Sequence, residues 1–247
     1  MIKVVKTTQT KENNTITLYE TTNENFDKTI LLVGVFHGEE PQGNYLLNKY
    51  IKTDLSHIKN KLVIIPCLNP DGMAKNQRQN ANFIDLNRNF PTKNWKITTK
   101  KEYFGGNEPA SEIETKFMIE VLKKYKFNAI LSIHAPFKIV NYDGQAQNLA
   151  EKISKITGYP VQSDIGYPTP GSFGNYAGVE RNIPTITLEL PENVSNEELW
   201  LVNKPVFDYL AEKYWNTELP HKENDSCSLF QRKLIDAHFF EHIYLIL

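Results

Sequence analysis

His37-Gly38-Glu39-Glu40 is the segment of this chain with the clearest chemical potential. An imidazole and a carboxylate three residues apart, with a glycine between them where the chain must turn, can both reach one divalent cation. The segment follows Thr29–Phe36, a nearly unbroken apolar run of the kind a central strand covered on both faces requires. His37 and Glu40 are therefore expected at the C-terminal end of a buried strand, the edge where open α/β sheets collect ligands. A third ligand must come from elsewhere. His134 ends a second apolar run, Ala129–Ile133, in the same way, and two such strands side by side would bring the imidazoles together. Two histidines and one glutamate leave a coordination position open, which marks a catalytic rather than a structural zinc site. His57, His221, His238 and His242 stand in polar or terminal segments and are not expected to bind metal.

Hydrolysis at such a site needs a proton carrier. Glu189 sits inside Thr185–Pro191, a run otherwise apolar or hydroxylated. A carboxylate is costly to bury there without a partner, and it is placed to accept a proton from water and return it to a leaving amine. Asp85-Leu86-Asn87-Arg88-Asn89-Phe90-Pro91 supplies further groups. The guanidinium of Arg88 matches a carboxylate in shape and Asn87 adds amide donors. Asp85 can orient a metal-binding histidine as a hydrogen-bond acceptor. Arg78 is the candidate to stabilise an oxyanion.

These groups need elements to hold them. Lys61–Leu68 and Pro184–Leu190 read as further buried strands, and Thr15–Tyr19 as an alternating edge strand. Helices are expected at Gln42–Thr53, Ser111–Tyr125, Gln145–Thr157 and Glu197–Tyr214. Ser111 with Glu114, and Ser195 with Glu198, have the spacing of capping boxes. Alternation of apolar runs with helical patterns indicates a sheet with helices packed on it. The polar stretches Asn69–Asn107 and Tyr159–Asn175 are long for loops in a compact domain, as site-building loops are.

The 247 residues suit one large α/β domain, or two small ones, and the net charge of −1 gives no electrostatic case for nucleic acid or an anionic membrane as partner. No run of about 20 apolar residues is present to span a membrane, and Met1–Lys6 lacks the apolar stretch of a secretion signal. Cys67 and Cys227 make no disulfide framework or Cys-x-x-Cys motif, and Cys67 reads as a core thiol. A reducing, cytoplasmic location is expected. The apolar end His238–Leu247 reads as a packed strand or helix end, or a tail.

Together, His37-Gly38-Glu39-Glu40, Asn69-Pro70-Asp71-Gly72, Asp85–Pro91, Ser132-Ile133-His134 and Thr187-Leu188-Glu189-Leu190-Pro191 resemble the zinc metallocarboxypeptidases of the funnelin type, in the family's order and over roughly residues 30–192. The resemblance implies a mixed, mostly parallel twisted central sheet with helices on both faces. A catalytic domain is expected over residues 1–215, with 216–247 left as a C-terminal extension. The resemblance implies one Zn²⁺ held by His37, Glu40 and His134, catalysis by Glu189 and Arg78, support of His37 by Asp85, and a grip on the substrate's terminal carboxylate by Asn87 and Arg88. Tyr167, in Tyr167–Ser172, resembles the tyrosine of a flexible loop that closes over substrate; Tyr176 competes for that role. A cis peptide bond after the third ligand is also implied, at Ala135–Pro136. Within the family the chain is most similar to the murein peptide amidases. They cleave the γ-D-glutamyl–diaminopimelate bond of cell-wall tripeptides. Diaminopimelate would want polar partners, for which Asp164, Ser172 and Asn175 are available. Two other readings are weighed. One is a zinc N-acyl amino acid deacylase similar to aspartoacylase or succinylglutamate desuccinylase, which share the His-x-x-Glu and Asp-Leu-Asn-Arg motifs. The other is a non-enzymatic metal-binding module, whose usual mark is a lost ligand or glutamate.

Overall fold

In the computed structural model of the chain, residues 1–212 are described; the expected extension at 216–247, with its apolar end, lies outside them. Strand β3 (Thr29–Gly34) and β5 (Ala129–His134) are buried at every residue, and β4 (Lys61–Ile65) at all but its first. That is what apolar runs without alternation require when both faces are covered. With β8 (Thr185–Pro191) they make the parallel centre of the sheet, in the order β4-β3-β5-β8. Antiparallel strands flank this centre. β1 (Ile2–Gln9) and β2 (Thr15–Thr21) form a hairpin beside β4. On the far side β6 (Phe137–Asp143) runs antiparallel to β8, and the two-residue β7 (Val161–Gln162) closes that edge.

Helices cover both faces. On one, α3 (Ile113–Lys124) sets Phe117, Met118 and Val121 against Leu31, Val33, Val63 and Ile65. On the other lie α1 (Gln42–Ile51), α4 (Gln147–Thr157) and α5 (Asn196–Glu212), which pack on one another and on the sheet. Close approach of α1 to β3 depends on two glycines. A Cβ at Gly34 would lie 2.8 Å from the Gly43 carbonyl carbon and 2.6 Å from Pro66 O.

Several expectations need correction. Thr15–Tyr19 is not an edge strand: β1 pairs outside it. The residues of β1 are mostly exposed, so no buried face left an apolar signature. Strand β6 also has no long apolar run, because Phe137, Asn141 and Asp143 line a cavity. Ser111 does not cap α3. The helix starts at Ile113 behind Glu112 with no side-chain cap, and the Ser111 hydroxyl is engaged with Asn89 and Glu112 instead. By contrast, Ser195 and Glu198 exchange the paired bonds of a capping box at the start of α5. Cys67 is half-buried beside Met73 rather than in the core, and burial pushes its thiol up to about 12.

Candidate metal centre and active site

Three chain segments reach the C-terminal edge of the parallel strands together. His134 is the last residue of β5 and stands directly opposite Glu189 of β8. His37 follows β3, where the chain leaves the sheet through Val35 at φ 57°. That conformation is rare for a β-branched residue and persists only where surrounding structure imposes it. The turn that follows packs closely on α2 (Pro70–Ala74): a Cβ on Gly38 would fall 2.0 Å from the carbonyl carbon of Gly72. Asn69 organises this contact. Its Oδ1 caps α2 by accepting from Gly72 N at 2.9 Å, and its Nδ2 donates to Phe36 O at 3.1 Å. Buried Asp71 then ties α2 to the β1–β2 turn through Thr10, Glu12 and Asn14. Asn69-Pro70-Asp71-Gly72 thus shapes the turn that carries His37 and Glu40.

The side chains of His37, Glu40 and His134 are buried and converge. His37 Nδ1 lies 2.8 Å from Glu40 Oε1, and His134 Nδ1 lies 2.9 Å from Glu40 Oε2. One donor atom from each residue falls within 4.8 Å of the others. Two imidazole nitrogens and a carboxylate, converging with one open side on a cavity, fit a catalytic zinc site. The other face of His37 is held by Asp85, whose Oδ1 accepts from Nε2 at 3.1 Å. Such a bond sets which ring nitrogen is presented to a metal. Asp85 is fully buried, and its Oδ2 accepts from Arg78 Nε and Nη2 at 3.1 and 3.0 Å. Phe36 stacks on His134, with centroids 5.3 Å apart and planes 18° apart, and locks the second ring.

The electrostatics of this group set its charges against one another. Burial works against charge on His37, but Glu40 and Asp85 outweigh it and raise its pKa to about 9. Burial works against the Glu40 carboxylate too, yet His37 and His134 hold it far below the usual range. Asp85 is held low in the same way by His37 and Arg78. Glu189 differs. Burial, with Glu40 nearby, pushes it up against the pull of His134, and its Oε2 has no hydrogen-bond partner. A carboxylate so placed has a raised proton affinity and an oxygen aimed at nothing in the protein.

A cavity of about 480 Å³ opens over the group. Glu189, His134, Arg78, Asn87, Arg88 and Tyr167 all line it. Arg78 is tied to Asp85 along one edge of its guanidinium, which leaves Nη1 near His37 and Glu40. Asn87 spends its Oδ1 on Phe173 N at 2.8 Å, so its amide NH₂ remains for the cavity. Arg88 donates from Nη1 to Asn87 O at 2.6 Å. Tyr167 is 40% exposed at the cavity mouth, whereas Tyr176 is buried against Phe90 and Arg181 and does not reach the cavity. Asp164 and Ser172 line the cavity, but the Asn175 amide is taken by Thr169 O and Ser172 Oγ. Ala135–Pro136 is cis.

Two cavity residues were not found from the sequence. The ring centroid of Tyr103 lies 5.2 and 5.6 Å from the guanidinium carbons of Arg78 and Arg88 and 6.4 Å from the ring centroid of Tyr167. Its only signal was its place in an irregular polar stretch. Asp143, at the end of β6, had no motif around it.

Fold and site together define a zinc-dependent hydrolase of the carboxypeptidase class. Residues 1–217 match the zinc carboxypeptidase family (peptidase M14), and the chain belongs to that family. It is a zinc metallopeptidase, and the His37-Glu40-His134 group is where the family's metal fits. The chain is similar to murein peptide amidase A of Escherichia coli K12, at 31% identity over 180 residues, covering 68% of this chain and 73% of the relative. Among solved structures, murein-tripeptide amidase from Escherichia coli O157 aligns with a TM-score of 0.72 at 24% identity, over 87% of this chain and 91% of the other. Carboxypeptidase A from Helicoverpa armigera aligns at 0.71 and 17% identity, over 85% and 66%. The expected mixed sheet is the one these neighbours share.

Proposed function

We propose that the enzyme removes the C-terminal residue of a short peptide, and that its substrate is the γ-D-glutamyl–diaminopimelate bond of murein tripeptide. The observation that carries the hydrolytic reading is the unpartnered buried oxygen of Glu189, in register with His134 and beside the three converging donors. Likeness to the murein amidases supports the choice of substrate.

In this reading His37, Glu40 and His134 hold zinc, which when bound supplies Lewis acidity to water and to the scissile carbonyl. Glu189 takes a proton from the attacking water and delivers it to the departing amine; its raised proton affinity suits both transfers. Arg78 Nη1 donates to the oxyanion as it forms. The guanidinium of Arg88 and the amide of Asn87 grip the terminal carboxylate, which restricts cleavage to the last residue. Tyr103 braces both guanidiniums, and Tyr167 closes over bound peptide. Asp85 keeps the His37 ring in the tautomer that exposes Nδ1. The reaction is placed in the cytoplasm, where free tripeptide would be recycled. Among the described residues no helix is long and apolar enough to cross a membrane.

The test is mass spectrometry of L-alanyl-γ-D-glutamyl-diaminopimelate incubated with protein and zinc. Free diaminopimelate is expected, with no release from N-acyl amino acids run alongside. Hydrolysis of the acyl amino acids alone would replace the proposal with the deacylase reading.

A further inference from the structure

A second cavity, of about 510 Å³, adjoins the active-site cavity, and the mechanism above does not use it. Arg88, Tyr103 and Tyr167 line both, so these three side chains form the partition between them. Two chain segments supply the far side. Lys96, Thr98 and Lys100 come from the polar stretch after Pro91, and Pro168 and Pro170 from the Tyr167 loop. The segments are tied together at their base. Gly171 N donates to Thr92 Oγ1 at 3.1 Å, and Phe90 N donates to Gly171 O at 3.0 Å. Trp95 Nε1 donates to Arg88 O at 3.1 Å, and a Cβ on Gly171 would fall 2.2 Å from that same oxygen. The chamber is thus fixed by main-chain bonds and close packing rather than left between unconnected loops.

Its charge is one-sided. Arg88, Lys96 and Lys100 are cations, and among the described residues no acidic side chain lines the chamber. Both lysines are exposed, and neither has an ion pair or hydrogen bond to a described residue. Tyrosine and proline carbons form much of the remaining wall. Cations set among apolar walls suit an anion carried on a short methylene arm. The partition indicates which anion. In the proposed mechanism Arg78 meets the oxyanion, and the Tyr103 ring lies 5.2 Å from the Arg78 guanidinium carbon. The terminal carboxylate of the released residue is already held by Arg88 and Asn87. A carboxylate on the acyl-side residue, three carbons from the scissile carbonyl, stands about 5 Å from it, the same interval as that to the partition. The flexible four-carbon stems of Lys96 and Lys100 cover what remains.

We propose that the chamber is a subsite for a free carboxylate on the residue that precedes the cleaved bond, with Lys96 and Lys100 as its cations. The inference rests on the C-terminal hydrolase reading and deepens it. A glutamyl residue joined through its γ-carboxyl leaves its α-carboxylate free on an arm of this length, and one joined through its α-carboxyl leaves the γ-carboxylate on an arm of the same length.

The test compares kcat/KM for paired peptides that differ by one carboxylate. One pair is L-alanyl-γ-D-glutamyl-diaminopimelate and its D-isoglutaminyl counterpart. The other is α-linked, acetyl-Glu-X and acetyl-Gln-X, with X a C-terminal residue that the enzyme releases. Each exposed ammonium contributes a few-fold at most, so the wild-type enzyme should prefer the acid by about 3- to 30-fold. The preference should lie mainly in KM and shrink as salt is raised. Lys96→Met combined with Lys100→Met should bring the ratio close to one and leave kcat on the carboxamide peptides unchanged. Lys96→Glu combined with Lys100→Glu should favour the carboxamide. A wild-type ratio near one in both pairs overturns the proposal, and so does a double methionine variant that keeps the wild-type ratio. If the murein peptides resist cleavage while the α-linked pair is told apart through the lysines, the murein substrate fails and this inference stands. If murein tripeptide is cleaved no faster than its isoglutaminyl counterpart, this inference fails and the hydrolase reading stands.

Discussion

Chemistry at the level of single residues turns on how differently two buried glutamates are treated. Glu40 and Glu189 lie at the same sheet edge, yet Glu40 is held ionised between two imidazoles and Glu189 is left without a partner for Oε2. In the proposed mechanism this difference makes one the ligand and the other the proton carrier. Glu189→Gln keeps the shape and removes the base. Turnover should fall by about 10²–10⁴-fold while the zinc content, read by atomic absorption, stays at one per chain. Loss of the metal together with activity would show that Glu189 helps hold it. Tyr103 makes a second case. Tyr103→Leu removes the face on which Arg78 and Arg88 both rest, and the cation–π contacts are each worth about 0.5–1 kcal/mol or more. KM should rise several-fold with a smaller fall in kcat, measured by steady-state kinetics. Unchanged KM would mean that the arginines hold their places without it.

Among elements, the turn after β3 is the point of greatest demand. Its geometry needs Gly38 against Gly72, Asn69 bridging α2 and Phe36 O, and Val35 at positive φ. Asn69→Ala removes a helix cap and leaves buried backbone groups unmatched, at a cost of about 1–2 kcal/mol. Urea unfolding should show a lowered midpoint at unchanged slope. Gly38→Ala strikes the same contact differently. Backbone cannot yield to a 2.0 Å approach as a flexible side chain could, so the turn must open and carry His37 away from Glu40. Zinc affinity, measured by competition with a chelator, should fall by at least 10-fold. A variant that binds zinc normally would show that the two loops move together.

For the whole molecule, metal and stability are linked. Zinc binds the assembled group and not the unfolded chain, so stripping it should lower the melting temperature and adding it should restore it. The metal-free protein should also depend on pH in a specified way. The raised pKa of His37 contributes stability that is complete below its ordinary value of 6.5 and is lost as pH climbs toward about 9. Glu114 adds the same slope: burial, reinforced by Glu112, pushes it up to about 7, so its contribution is present below 4.5 and lost on the way to 7. Glu40 and Asp85 act oppositely. Their depressed values stabilise above 4.5 and 3.8 and cease to do so as pH falls. The melting temperature of metal-free protein should therefore peak between about pH 4.5 and 6.5 and decline above that range, as followed by circular dichroism. A rise from pH 6.5 to 9 would contradict the arrangement of charges described here.

How much of this was legible in the chain follows from what each signal depends on. Strands β3, β4, β5 and β8 were readable because burial on both faces demands an unbroken apolar run, and the polar residues that end or interrupt those runs, His37, His134 and Glu189, stood out against it. Ser195 and Glu198 were readable as a cap because a capping box is local. Ser111 with Glu114 has the same spacing and makes no cap, because Asn89 from a distant segment claims the serine hydroxyl. Strands β1 and β6 left no pattern, since one is exposed and the other faces a cavity. The sequence by itself determined which residue types are available and which end a buried strand, because those are consequences of local periodicity and solvation. Only the tertiary structure decided that Tyr103 lies against two arginines, that Tyr167 rather than Tyr176 reaches the cavity, and that Asp143 stands on its wall. Those facts arise from strand register and loop packing between segments far apart in the chain, and no local pattern of residues carries them.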